Sequence, residues 1–201
     1  MSQTYNDDFK FSIQIPNFLS EERCDELKKD IMESEQDVIG CVGDEKGTAI
    51  LPEIRKTNEW YLFDQPDNEF RPDKTNKDWK WLQDKMFQMV NIVNDSVFHF
   101  DVDGCDDELK LIEYQDGGFY GWHTDFSAGE GKYVDSTTKF TCVTYLNDDM
   151  EGGELQVTND KIPVEVGRAI IFPSFTNHKV MQFYNKNRYV LVCFAEGNTF
   201  K

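Results

Sequence analysis

Residues 139–147, KFTCVTYLN, and residues 189–195, YVLVCFA, decide the fold of this chain. Both are runs of β-branched and aromatic residues without proline or glycine, and such runs favour extended strands. Similar runs, separated by turn residues, recur through the second half of the sequence. We predict strands at Val97–Val102, Leu109–Tyr114, Phe119–Trp122, Lys139–Asn147, Glu154–Thr158, Ala169–Phe172, Lys179–Tyr184 and Tyr189–Ala195. Earlier in the chain, Thr48–Leu51 and Glu59–Phe63 are further candidates.

Two helices are predicted before these strands. Ser20 can cap a helix whose first turn carries Glu21 and Glu22, which suit the positive end of the helix dipole, and Leu27 and Ile31 continue it as an apolar stripe. A second helix is predicted from Asn76. Its core positions recur at helical spacing: Trp79, Leu82, Met86, Met89, Val90 and Val93.

Two helices packed on many antiparallel strands predict a mainly β protein: a double-sheet jelly roll with supporting helices. The 201 residues suit one domain. We therefore expect a single unit over 1–201, with helical and strand support in 1–96 and the jelly-roll core in 97–201.

The composition bears on the class of protein and on its partners. Hydrophobic residues at 39% and charged residues at 29% are typical of a folded globular protein. The net charge of −17 disfavours nucleic acid as a partner, because a phosphate backbone would be repelled. An acidic surface fits a cationic substrate, but it more often serves solubility alone. Five cysteines without CxxC spacing, and no secretory or membrane-spanning segment, lead us to expect reduced thiols in a cytoplasmic protein.

The chain has three histidines, and two of them predict a metal site. His123 and Asp125 are two residues apart in a predicted extended segment, so their side chains can converge on one point. The same alternation places Trp122 and Tyr120 on the opposite face, where we expect Trp122 to pack in the core. His178, after the predicted turn 173–177, is the candidate third ligand, although alone it could equally be a surface histidine. Two imidazoles and one carboxylate form the facial triad of non-haem iron(II) oxygenases.

Two further features of the sequence bear on this site, an arginine and a second HxD pair. Arg188 immediately precedes the strand 189–195. A guanidinium that enters a barrel interior needs a carboxylate partner, from either the protein or a ligand. His99 and Asp101 form a second HxD pair. We discount that pair because the surrounding motifs are in register with His123.

Several short motifs together resemble the prolyl 4-hydroxylase-like branch of the 2-oxoglutarate/Fe(II)-dependent dioxygenases. They occur in the order YQDGGFY (114–120), HTD (123–125), FTCVTYLN (140–147), EGGEL (151–155), GRAIIFPS (167–174), His178 and Arg188-Tyr189. The resemblance is firm from Leu109 to Phe194. It extends more loosely to IPNFLS at 15–20.

The resemblance implies a double-stranded β-helix, cupin-like, with the site at the mouth of the barrel. It assigns Fe(II) to His123, Asp125 and His178, and the distal carboxylate of 2-oxoglutarate to Arg188, with the metal ligands and Arg188 as catalytic residues. Further co-substrate contacts are implied for Tyr145, Tyr114, Thr141, Val143 and Leu155. The implied reaction hydroxylates an unactivated C–H bond using O2, with succinate and CO2 as co-products and ascorbate as reductant.

The substrate implied by this branch is a prolyl residue of a peptide or protein. Hydroxylation of a free amino acid or of another side chain is the alternative within the enzyme class. A non-catalytic metal-binding jelly-roll module is the alternative from another class. A nucleic-acid demethylase fits poorly, because that group carries a second arginine where this chain has Phe194.

Overall fold

A computed structural model of the chain describes residues 11–33, 38–39, 42–44, 47–49, 57–63, 79–105, 109–126 and 137–199. Two α-helices lie in this part of the chain, α1 (Glu21–Met32) and α2 (Lys80–Val93). The strands of the first half are β1 (Ile13–Ile15), β2 (Val38–Ile39), β3 (Val42–Asp44), β4 (Gly47–Ala49), β5 (Thr57–Tyr61), β6 (Gly104–Cys105) and β7 (Lys110–Tyr114). Those of the second half are β8 (Tyr120–His123), β9 (Thr138–Tyr145), β10 (Glu151–Gly152), β11 (Leu155–Val157), β12 (Asp160–Ile162), β13 (Ala169–Pro173), β14 (His178–Val180), β15 (Phe183–Tyr184) and β16 (Arg188–Glu196).

The strands form two main antiparallel sheets. The larger sheet has the order β1-β13-β9-β16-β7-β5-β2, with β6 added to β16. The smaller sheet has the order β12-β11-β14-β8. Strand neighbours in space are distant in sequence, as in a jelly roll, so the predicted mainly β architecture is confirmed.

The two helices pack on one face of the larger sheet. Ser20 caps α1 by accepting a hydrogen bond from the Arg23 amide at 3.2 Å, as predicted. Leu27 and Ile31 are buried, as are the predicted apolar positions of α2. The described part of α2 begins at Lys80, just after Trp79, whereas the predicted start at Asn76 lies outside the described residues. The opposite face of the sheet is thereby left to build a cavity with the smaller sheet.

The strand predicted at Val97–Val102 is wrong. Helix α2 runs into a π-helical turn over Asn94–Phe98, and His99 ends it in the left-handed conformation with φ 59°. Asn94 holds the following segment, because its side chain both donates to the Phe100 carbonyl and accepts from the Phe100 amide. These two bonds replace the ladder bonds that a strand would need.

Other strand boundaries differ by small amounts. The predicted strand 179–184 is two short strands, β14 and β15. The candidate at 48–51 corresponds to β4, and residues 50 and 51 lie outside the described residues. Neither of the two α-helices in the described ranges has the length and apolar character needed to cross a bilayer.

Candidate metal and co-substrate site

A cavity lies between the two sheets, on the face of the larger sheet turned away from the helices. It measures about 540 Å³ when the space at its open mouth is included. Strand alternation aims every second side chain of a strand into it, as Lys110, Ile112 and Tyr114 of β7 show. The same alternation on β16 contributes Arg188, Val190, Val192 and Phe194.

His123, Asp125 and His178 meet at one end of this cavity. Strands β8 and β14 are paired so that His123 lies opposite His178. The Nε2 atoms of His123 and His178 lie 3.6 and 3.4 Å from the two carboxylate oxygens of Asp125. Among the described residues these three form the cluster able to hold a metal ion, with donor atoms all within 4.8 Å of one another. Donors that share a transition-metal ion at roughly 2.0–2.2 Å must be this close.

Backbone carbonyls set the tautomer of both histidines. Nδ1 of His123 lies 2.8 Å from the Gly121 carbonyl, and Nδ1 of His178 lies 2.9 Å from the Thr176 carbonyl. Because a carbonyl oxygen only accepts, each Nδ1 must carry the proton. Each Nε2 faces Asp125, where it can bind a metal ion, as metal-bound histidines do, or take up a proton and form an ion pair with the carboxylate.

The ring of His123 is further fixed by Tyr120. The two rings stack with centroids 3.7 Å apart, and Tyr120 also lines the cavity. Simple alternation had placed Tyr120 on the face of Trp122, opposite His123. His178 is paired with His123 and Val180 with Tyr120, so a step of two residues on β14 matches a step of three on β8. This register shift brings the side chains of Tyr120 and His123 to one face.

Asp125 is held in its ionised form. Its removal from water alone would raise its pKa, but the positive charge available to His178 and His123 and a hydrogen bond from Thr141 outweigh that effect and lower the pKa below its usual value. The Thr141 hydroxyl donates to Oδ2 of Asp125 at 2.6 Å. Thr141, whose implied role is to contact the co-substrate, lines the cavity and also orients this carboxylate.

The Thr141 hydrogen bond gives a matched pair of substitutions. We expect Thr141→Val to weaken binding of Fe(II) or Mn(II) about tenfold, since partners that orient a metal ligand contribute roughly 10–100-fold. Thr144 lies on the same strand and is also buried, and no described residue forms a hydrogen bond with its hydroxyl. Thr144→Val should therefore leave metal affinity unchanged. Calorimetric titration of both variants measures the difference, and equal affinities would contradict the orienting role.

Arg188 lies at the other end of the cavity, and no carboxylate of the described residues pairs with its charge. The side chain is 1% exposed, and its Nε donates to the Gly153 carbonyl at 3.1 Å. Nη1 and Nη2 have no hydrogen-bond partner among the described residues. A buried guanidinium left in this state costs free energy that a bidentate carboxylate would recover.

The surroundings of Arg188 are aromatic rather than acidic. The rings of Tyr114 and Tyr145 lie 5.0 Å from the guanidinium carbon on either side. Tyr145 accepts the Leu155 amide at its hydroxyl oxygen at 3.1 Å, so its own O–H proton stays available for donation. Gly153 has φ +81°, and a Cβ there would lie 3.3 Å from Cδ of Arg188. The glycine lets the chain approach the arginine closely.

The remaining predicted site residues fall around the same space. Tyr114, Val143 and Leu155 line the cavity, whereas Tyr145 lies behind the lining beside Arg188. His99 is exposed and outside the metal cluster. Trp122, predicted to pack in the core, is 48% exposed, because β8 is the edge strand of the smaller sheet and turns this side chain outward under Lys179.

Sequence reasoning missed Lys110. It is 7% exposed, lines the cavity, and forms an ion pair with Glu59 at 3.3 Å. The signal was present, because Lys110 stands four residues before the predicted cavity residue Tyr114 and therefore shares its face of the strand. Its polar character at a core-facing position was the clue.

Part of the chain matches a known protein family. Residues 109–196 match the family model of the 2OG-Fe(II) oxygenase superfamily. A search of curated proteins finds no match.

Solved structures share the fold at low sequence identity. The viral collagen prolyl hydroxylase of Paramecium Bursaria Chlorella virus-1 is 19% identical, with TM-score 0.64 and 95% of this chain and 98% of that chain covered. A Pseudomonas putida prolyl-4-hydroxylase is 18% identical, with TM-score 0.66 and coverage of 94% and 93%. A Trichoplax adhaerens prolyl hydroxylase, in complex with a peptide fragment of the hypoxia inducible factor oxygen degradation domain, is 18% identical, with TM-score 0.72 and coverage of 93% and 84%.

The resemblance found in the sequence is thus confirmed: residues 109–196 match the 2OG-Fe(II) oxygenase superfamily, and the matched region lies on a jelly-roll fold.

Proposed function

We propose that this chain is an Fe(II)- and 2-oxoglutarate-dependent hydroxylase acting on a prolyl residue of a peptide or protein. The observation that carries the proposal is the cavity with a histidine–aspartate–histidine cluster at one end and buried Arg188 at the other, whose Nη1 and Nη2 find no hydrogen-bond partner in the described part of the chain. A ligand with a carboxylate for Arg188 and metal-binding oxygens at its far end fits this arrangement, and 2-oxoglutarate is such a ligand.

The donor set suits iron. Two neutral imidazoles and one carboxylate leave open coordination positions, which a structural site would fill with protein ligands. His123, Asp125 and His178 would hold Fe(II). When bound, iron together with 2-oxoglutarate and O2 supplies the oxidising chemistry that converts C–H to C–OH, with succinate and CO2 as co-products.

The protein positions the ligands, supplies positive charge and keeps water out of the cavity. Arg188 would bind the distal carboxylate through Nη1 and Nη2, and the Tyr145 hydroxyl would donate a third hydrogen bond. The apolar walls, from residues such as Val143, Leu155 and Val190, exclude water from the space between the two charged ends. The Gly121 and Thr176 carbonyls and the Tyr120 ring hold the imidazoles in their binding orientation.

We assign the prolyl substrate from the fold neighbours, three of which are prolyl hydroxylases and one of which is bound to a peptide. The net charge of −17 argues against a nucleic acid. We further propose that the whole chain is one catalytic unit, because α1 and α2 share a core with the larger sheet that carries Arg188.

Peptide stimulation of co-substrate turnover tests the substrate. Purified protein with Fe(II), 2-oxoglutarate and ascorbate is assayed for succinate with proline-containing peptides, matched peptides carrying alanine for proline, and free L-proline. We expect stimulation by a proline peptide alone, with a mass gain of one oxygen atom on proline. Stimulation by a free amino acid, or oxygen on another side chain, would replace the prolyl assignment with the alternative hydroxylase.

A further inference from the structure

Lys110 gives the cavity a second cation that the family resemblance does not assign. The residue is 7% exposed, and its side chain lines the same cavity as Arg188. Its ammonium group lies 3.3 Å from Oε2 of Glu59 and 3.2 Å from the Tyr61 hydroxyl. Glu59 in turn accepts a hydrogen bond from the Tyr61 hydroxyl at 2.9 Å.

Stability alone does not account for this arrangement. A buried ion pair is about as stable as the apolar residues that could replace it, and sometimes less stable, because both charges must be removed from water. Glu59 is 2% exposed and belongs to the neighbouring strand β5, so it supports Lys110 from the side. A cation supported in this way at a cavity wall is positioned to meet an anion inside the cavity.

The two cations lie at opposite ends of the cavity. Arg188 is paired with Tyr114. Val192, four residues after Arg188 on β16, is paired with Lys110, four residues before Tyr114 on β7. Four residues of strand span roughly 13 Å, and both long side chains can reach inward from their ends. Lys110 is at the metal end, because its ammonium lies 5.6 Å from the Phe194 ring and Phe194 is paired with Thr141, the partner of Asp125.

We propose that Lys110 is a second anchor for dicarboxylates, so that the protein holds a five-carbon dicarboxylate at both ends by its own cations. Arg188 binds one carboxylate, and Lys110, positioned by Glu59 and Tyr61, attracts the other toward the metal end. The second anchor rests on the proposed function, because it takes 2-oxoglutarate as the physiological ligand. Because both carboxylates would be held by cations of the protein, dicarboxylate binding does not depend on the metal.

The test uses metal-free protein and two simple probes. Glutarate has two carboxylates and no keto group, whereas pentanoate has one carboxylate on a chain of the same length. Calorimetry compares both probes on the wild type, on Glu59→Gln, and on the double variant Lys110→Met/Glu59→Gln. The double variant removes both charges with similar volume, so no buried carboxylate is left unpaired. Lys110→Arg is the conservative variant, and thermal melting confirms that each protein is folded.

We expect wild-type protein to prefer glutarate over pentanoate. In the double variant the Kd for glutarate should rise roughly ten- to hundredfold, as expected for loss of a charged hydrogen bond, while the Kd for pentanoate should change less than about twofold. Lys110→Arg should retain most of the preference. Glu59→Gln should weaken glutarate binding less than the double variant does.

Three results would overturn the second anchor: no glutarate binding by metal-free wild type, unchanged glutarate affinity in the double variant, or equal losses for both probes. None of these results contradicts the proposed function, because that function is tested separately by iron-dependent succinate formation. Conversely, a glutarate preference that depends on Lys110 would stand even if no hydroxylated product were found.

Discussion

Replacing Arg188 with methionine is expected to abolish 2-oxoglutarate binding while leaving the protein as stable as before, or slightly more stable. The guanidinium is buried, and Nη1 and Nη2 have no hydrogen-bond partner in the ranges that the structure describes, so its removal relieves a desolvation cost in the ligand-free protein. The same removal leaves a ligand carboxylate without its bidentate partner. Two charged hydrogen bonds of about 1.5–3 kcal/mol each correspond to a loss of affinity of at least about a hundredfold.

Thermal unfolding with and without 2-oxoglutarate measures both halves of this prediction. A ligand at a hundredfold excess over Kd stabilises a protein by about 2.7 kcal/mol, so the wild type should gain several degrees in Tm and Arg188→Met should gain none. Arg168→Met is the control, because Arg168 pairs with Glu165 and Gln14 away from the cavity. A ligand-induced shift that persists in Arg188→Met would contradict the assignment.

The second large effect is expected at His178. His178→Ala should lower affinity for Fe(II) or Mn(II) at least about a hundredfold, since loss of a metal ligand costs no less than loss of the partners that orient one. The side chain is 4% exposed and its Nε2 faces Asp125. Metal content after dialysis and calorimetric titration with Mn(II) both report the change.

His99→Ala is the matched control for this experiment. His99 belongs to the other HxD sequence, but it is exposed, has a left-handed backbone and lies outside the cluster. Its substitution should leave metal binding intact. Equal losses in the two variants, or none in His178→Ala, would remove His178 from the ligand set.

Much of the architecture could be predicted because local signals agree with it. The strand 138–145 is a continuous run of buried residues that needs only β propensity to be found. Ser20 marks the start of α1 because its side chain caps the helix as its position suggests. The metal cluster could be predicted because His123 and Asp125 are two residues apart and His178 follows the turn 173–177, and the three side chains meet in the structure.

The errors arose where tertiary contacts override local pattern. Val97–Val102 has strand composition, but the two hydrogen bonds between Asn94 and Phe100 stabilise a turn there instead. Trp122 and Tyr120 were misplaced because perfect alternation was assumed across a strand whose pairing shifts by one residue. An irregularity of this kind depends on the partner strand, which a single sequence does not reveal.

Some features of the site could not be predicted from sequence in principle. Nη1 and Nη2 of Arg188 lack a hydrogen-bond partner among the described residues, which can be seen only once the surrounding acceptors have been located. The histidine tautomers depend on the directions of two carbonyls, that of Gly121 within β8 and that of Thr176 just before β14. The Lys110–Glu59 pair joins strands separated by 51 positions in sequence, and no local pattern connects them.

The most direct measurement is succinate formation from 2-oxoglutarate by purified protein supplied with Fe(II), O2 and ascorbate, with and without proline-containing peptides. The site predicts turnover that needs iron, is lost in His178→Ala and Arg188→Met, and is retained in His99→Ala and Arg168→Met. Metal-loaded wild-type protein that forms no succinate and shows no calorimetric binding of 2-oxoglutarate would contradict it, and a non-catalytic metal-binding jelly roll would then be the better description.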